Sequence, residues 1–126
     1  MSDLAIQQSI HIRGISLACQ VWRPENPKKL FALHGWLDNS ASFAALAPEL
    51  SDYCVLAIDL AGQGLSEQRP ASSTYHLWDD ALDICHLADA LAWQQFSLLG
   101  HSRGGMLASL LAAALPDRVQ KLMLLD

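Results

Sequence analysis

Cations are scarce in this 126-residue sequence: eight Lys and Arg stand against 13 Asp and Glu, for a formal net charge of −5. A surface of that sign does not track phosphates, so no nucleic-acid partner is expected. Long apolar runs are missing as well. The longest uncharged stretch around the most apolar segment, Gly104 to Leu115, falls short of the roughly 20 residues that cross a bilayer, and Pro116 ends it. No membrane partner is expected either. The opening MSDLAIQQSI carries an acid, Asp3, where a secretory leader has its basic region, which reads as a cytoplasmic protein. Cysteine is limited to Cys19, Cys54 and Cys85, odd in number, far apart and without a CxxC pair. Buried reduced thiols suit that pattern better than disulfides or a metal site.

What the sequence does have is core. Apolar residues make up 52% and charged residues 17%, too rich for a disordered chain, and the length suits one domain over residues 1–126. Ile10 to Arg13 and Ile15 to Trp22 alternate like strands around Arg13-Gly14, which predicts an opening antiparallel hairpin. Leu30 to Leu33 and Tyr53 to Ile58 are apolar runs of the kind buried on both faces of a sheet. Between them Asn39 and Ser40 offer caps for a helix over Ala41 to Leu50, with Phe43, Ala44, Leu46, Ala47 and Leu50 at helical spacing. After a loop from Leu60 to Ser73, Thr74 is positioned to cap a long helix whose stripe is Leu77, Ala81, Ile84, Cys85, Ala88 and Leu91. Asp79 and Asp80 fall in its first turns, where the dipole favours acids. Phe96 to Leu99 predicts a strand, Gly100 to Gly105 a turn, Met106 to Leu115 a small-residue helix, and Lys121 to Leu125 a last strand. Strands alternating with helices imply an α/β fold of three layers, with a mostly parallel sheet covered on both faces.

The segment that carries chemistry is Gly100-His101-Ser102-Arg103-Gly104-Gly105, between an apolar strand and a helix. A serine with glycines two positions away on each side marks a nucleophile elbow. Gly100 and Gly104, lacking Cβ, let the helix approach the strand while Ser102 takes a strained backbone with its hydroxyl exposed. At the helix N-terminus the Arg103 amide would then point at an oxyanion formed beside that hydroxyl. His34-Gly35-Trp36 leaves the third strand, and in such an architecture this loop supplies a second amide donor, for which Trp36 is the choice. The plainer readings are a packed strand–helix turn with an exposed serine, and a Trp36 that fills a core edge.

Other glycine motifs fail on their own residues. Gly100 and Gly105 have P-loop spacing, but Met106 and Leu107 stand where Lys and Ser or Thr should be. Gly62-Gln63-Gly64 lacks the third glycine of a dinucleotide fingerprint, with Glu67 in its place. No cofactor is expected. His76 and His86 diverge on one helix, His11 lies in the hairpin, and His34 and His101 belong to the motifs, so no metal site is expected.

HGWLDNSASF, DLAGQGLS, GHSRGG and KLMLLD together resemble the α/β-hydrolase superfamily, particularly its serine hydrolase-like branch, from about Leu30 to Asp126. The resemblance implies Ser102 as nucleophile, the Trp36 and Arg103 amides as oxyanion donors, and Asp59 to Ser66 as the loop turning out beside the site. Arg103 departs from the apolar or amide residue common after such serines. It is open here to two readings, a surface ion pair or substrate steering.

A triad in this architecture runs Ser, then Asp or Glu, then His, and no histidine follows Ser102. The chain therefore reads as the amino-terminal part of a hydrolase, its sheet stopping after a sixth strand. Asp126 is a minor candidate for the acid. Two functions of different class stand: a serine hydrolase acting on a small-molecule ester or similar acyl substrate, inactive as an isolated fragment, and a non-catalytic module that binds a small molecule or partner chain. The partners expected are the missing carboxy-terminal half, or a second copy paired through the open sheet edge.

Overall fold

A computed structural model describes residues 4–36 and 38–125. Six strands form one sheet: β1 (Ile6–Ile12), β2 (Ile15–Trp22), β3 (Lys29–Leu33), β4 (Cys54–Ile58), β5 (Phe96–His101) and β6 (Val119–Leu125), in the order β1-β2-β4-β3-β5-β6. β1 and β2 pair antiparallel across Arg13-Gly14, both with positive φ (49° and 82°), the backbone a two-residue hairpin turn demands. β2 is antiparallel to β4 as well, while the β3–β4, β3–β5 and β5–β6 pairs are parallel.

The apolar runs of β3 and β4 are continuous because both faces of these strands are covered. Phe31, Leu33, Leu56 and Ile58 face one side with Leu98, and there they meet Ala81, Ile84, Leu87 and Ala88 of α1 (Leu77–Ala90) and Leu107, Ala108 and Leu111 of α2 (Arg103–Ala114). Phe31 anchors this core, its ring centroid 4.7 Å from Trp93 and 5.0 Å from Phe96. Leu30, Ala32, Val55, Ala57 and Leu99 face the other side, where Trp22, Phe43 and Ala47 cover them. The third layer is thin. The helix expected over Ala41 to Leu50 is instead two 3₁₀ turns, Ser40–Phe43 and Ala47–Glu49. Pro48 explains the break, since it has no N–H to give the Ala44 carbonyl and the chain closes i to i+3 bonds, Leu46 to Phe43 and Glu49 to Leu46. The Asn39 cap holds, its side chain accepting the Ala41 N–H at 2.9 Å.

Other boundaries shift. β1 starts at Ile6, α2 starts at Arg103, and β6 starts at Val119. Thr74 does not cap α1; His76 is the N-cap, and Thr74 donates its hydroxyl to the Asp79 carboxylate at 2.6 Å. The cysteines are unpaired, Cys19 and Cys54 buried and Cys85 half-buried. Burial pushes the Cys19 thiol up to about 12, with the Asp59 charge adding to it. Among the described residues no helix is long and apolar enough to cross a membrane.

Register positions the site. Leu33 pairs with Ile58 and with Gly100, so β3, β4 and β5 end level, and the loops that leave them share one edge of the sheet.

Candidate functional site

Ser102 links β5 to α2 with φ 57° and ψ −117°, a backbone conformation that a residue with a side chain rarely adopts. Such strain costs about 1–3 kcal/mol and persists only where the surroundings impose it. Here they do. The Ser102 carbonyl accepts the Gly105 N–H at 2.8 Å and the Met106 N–H at 3.2 Å, which starts the helix immediately. A methyl on Gly100 would overlap the Gly104 carbonyl, and one on Gly104 would overlap the Leu33 carbonyl, so both positions require glycine for α2 to lie this close to the sheet. Ser102 is exposed, and among the described residues its hydroxyl has no hydrogen-bond partner.

The loop after β3 runs against this serine: a Cβ on Gly35 would sit 3.4 Å from Ser102 Cβ. His34 fixes the loop from below. Its imidazole is fully buried, and Nε2 accepts the Leu60 N–H at 2.9 Å, which leaves Nδ1 to donate to the Gly35 carbonyl at 2.7 Å. Asp59 ties the same two loops together, accepting the Ser40 N–H at 2.6 Å and the Leu65 N–H at 2.9 Å. The loop after β4 is braced in turn by Ser66, whose hydroxyl donates to the Asp59 carbonyl and accepts the Ala18 N–H. His34 and Asp59 are thus framework, not reacting groups.

The three residues named from the sequence, Trp36, Ser102 and Arg103, come together here. Trp36 is 59% exposed and does not fill a core edge; its ring lies over the Arg103 guanidinium, 5.4 Å from centroid to Cζ. Among the described residues neither the Trp36 nor the Arg103 amide N–H has an acceptor. The Arg103 side chain makes an ion pair, as one reading held, but with a buried partner: Nη1 donates to Asp80 Oδ2 at 2.8 Å.

Two clefts lie at this edge, one lined by Ser102 and one by its neighbour His101. One of about 670 Å³ is lined mainly by apolar side chains, among them Leu77, Met106, Leu124 and Leu125. The other, about 290 Å³, holds His101 with Asp38, Ser42, Leu46 and Leu125. The Ser42 hydroxyl, 2.6 Å away, holds the Asp38 carboxyl below its usual range, helped by the Asn39 backbone. Sequence reading passed over Asp38; its only signal was a serine four residues on. Among the described residues no histidine bonds to Ser102. His11 lies 3.4 Å from Ser16 Oγ, His76 caps α1, and His86 is exposed on α1. Asp126, the candidate acid, lies outside the described residues. Among the described residues no group of three or more His, Cys, Asp or Glu is placed to hold a metal ion.

Comparison with known proteins bears on the family and the fold. The family model described as the alpha/beta hydrolase fold matches residues 30–126. A serine hydrolase-like protein of Dictyostelium discoideum is 41% identical over 122 residues, 94% of this chain and 34% of its own length. A pimeloyl-(acyl-carrier protein) methyl ester esterase of Shewanella sp. (strain MR-7) is 40% identical over 93 residues, 74% of this chain and 32% of its own. Among solved structures, a hypothetical protein from Pseudomonas aeruginosa PAO1 superposes with a TM-score of 0.92 at 46% identity, covering 95% of this chain and 43% of that one.

Proposed function

The chain belongs to the alpha/beta hydrolase fold family, and from that premise we propose that it is the nucleophile-bearing part of a serine hydrolase acting on an ester or similar acyl substrate. It spans about a third of the length of the two curated relatives named above, so the rest of the triad is assigned to sequence outside these 126 residues. The observation that carries the reading is Ser102, exposed at positive φ at the start of α2 with the Gly35 backbone against its Cβ.

In the proposed reaction Ser102 Oγ adds to the acyl carbonyl carbon and its proton passes to a histidine base. The carbonyl oxygen becomes an oxyanion, held by the Trp36 and Arg103 amides, which have no other acceptor among the described residues. Collapse of the tetrahedral intermediate expels the alcohol, which takes the proton back, and leaves an acyl-serine for water to hydrolyse. The apolar cleft beside Ser102 suits the acyl chain, and the methyl ester esterase among the relatives favours an oxygen ester as first substrate. Three unpaired thiols suit a cytoplasmic setting.

The test is turnover of short and long p-nitrophenyl esters by the protein expressed from its complete coding region. Ser102→Ala should lower kcat by about 10⁴-fold or more with the fold intact, and retained turnover in that variant would contradict the proposal. A second reading, a non-catalytic binding module, is favoured by the lack of any base on the Ser102 hydroxyl within the described residues. It predicts no ester turnover by the wild-type protein.

A further inference from the structure

Behind Arg103 lies a buried cluster of charges that no part of the proposed reaction uses. Arg69, from the loop after β4, is only 6% exposed in its side chain and reaches Asp80 at 3.0 Å and Asp83 at 2.7 Å. Those two carboxylates project from α1 and are 5% and 2% exposed. Asp83 takes a second cation, Arg13 of the opening hairpin, at 3.0 Å. Asp80 takes Arg103. The two aspartates therefore share Arg69 but differ in their other partner. Asp83 faces the hairpin and Asp80 faces the residue next to Ser102.

What Asp80 holds reaches further than Arg103. The guanidinium it fixes also donates weakly to the Tyr75 carbonyl at 3.4 Å and carries the Trp36 ring. Trp36 and Arg103 are the two residues whose amides are assigned to the oxyanion. Trp36 stands in the loop after β3 and Arg103 opens α2, and the cation–π contact is a direct side-chain link between them. We propose that Asp80 is a positioning residue for the oxyanion site: its ion pair with Arg103 sets the Arg103–Trp36 stack and through it the spacing of the two amides. Asp80 is 5% exposed and its other oxygen is held by Arg69, so the carboxylate oxygen that meets Arg103 is fixed in place. The effect belongs to the transition state, since donors aimed at developing charge contribute little to binding the ground-state ester.

This inference rests on the hydrolase reading above, and the experiment separates the two. In the protein expressed from its complete coding region, kcat and KM for a p-nitrophenyl ester are compared for wild type, Asp80→Asn, Asp83→Asn and Arg103→Met. Asp80→Asn should lower kcat about tenfold or more with KM within twofold of wild type. Asp83→Asn, which breaks the same cluster without touching Arg103, should keep kcat within twofold. Arg103→Met leaves Asp80 paired with Arg69, so it tests the contact even where Asp80→Asn fails to fold, and it should show the same loss of kcat at unchanged KM. The inference is overturned by unchanged kcat in Arg103→Met, by equal loss of kcat in Asp80→Asn and Asp83→Asn, or by a rise in KM alone, which would make Arg103 a substrate-binding group. A wild-type protein without Ser102-dependent turnover would instead remove the hydrolase reading itself.

Discussion

The carbonyl of Leu33, at the end of β3, occupies the space that a methyl group on Gly104 would need. The neighbouring Gly105 is different, since a Cβ there would meet the Gly100 carbonyl and a Leu124 methyl at 3.5 Å, ordinary contact. Gly104→Ala should therefore cost about 2–3 kcal/mol through overpacking against backbone. Gly105→Ala, inside α2, should be neutral or stabilise by about 0.5–1 kcal/mol through helix propensity. Urea unfolding of both variants checks this, and equal destabilisation would contradict it.

Asp79 closes the first turn of α1, accepting the Thr74 hydroxyl at 2.6 Å and the His76 N–H at 2.9 Å. Thr74 chiefly, and the His76 backbone with it, hold this carboxyl below its usual range. A carboxylate depressed on folding adds stability that is complete above its unfolded pKa, about 3.9, and fades as pH falls through the lower folded value. Asp79→Ala should cost about 1 kcal/mol at pH 7, as loss of a helix-start hydrogen bond does, and less below about pH 4. An unchanged difference at pH 2.5 would show that the bonds do not depend on the charge.

Legibility in the sequence followed how local the cause was. β3 and β4 were readable because burial on both faces writes an unbroken apolar run, and the elbow because its glycines stand at fixed spacing around Ser102, although the contact that requires Gly104 is with distant Leu33 of β3. The segment Ala41 to Leu50 misled because Phe43 and Ala47 keep a helical spacing in which Pro48 cannot take part. Asp80 read as an ordinary acid near a helix start. Its partners Arg69 and Arg103 lie 11 and 23 residues away and meet it only through the tertiary fold, so no sequence period announces the pair. Trp36 was found by its motif, but its contact with Arg103 was not.

β6 pairs with β5 alone and leaves Leu122, Leu124 and Leu125 at 40%, 56% and 41% exposure. An apolar edge of this kind invites pairing with another chain. The 126-residue chain on its own should elute above monomer mass on size-exclusion chromatography, and Leu124→Lys should move it toward monomer. A monodisperse monomer of the unmodified chain would contradict this.

The central claim, that Ser102 is the nucleophile, is tested most directly by labelling the protein from the complete coding region with a fluorophosphonate and mapping the modified peptide. The strained turn, the exposed hydroxyl and the two amides without an acceptor among the described residues predict one labelled serine, Ser102, and none in Ser102→Ala. A label on any other serine, or no label on a folded protein that still turns over ester, would contradict the account.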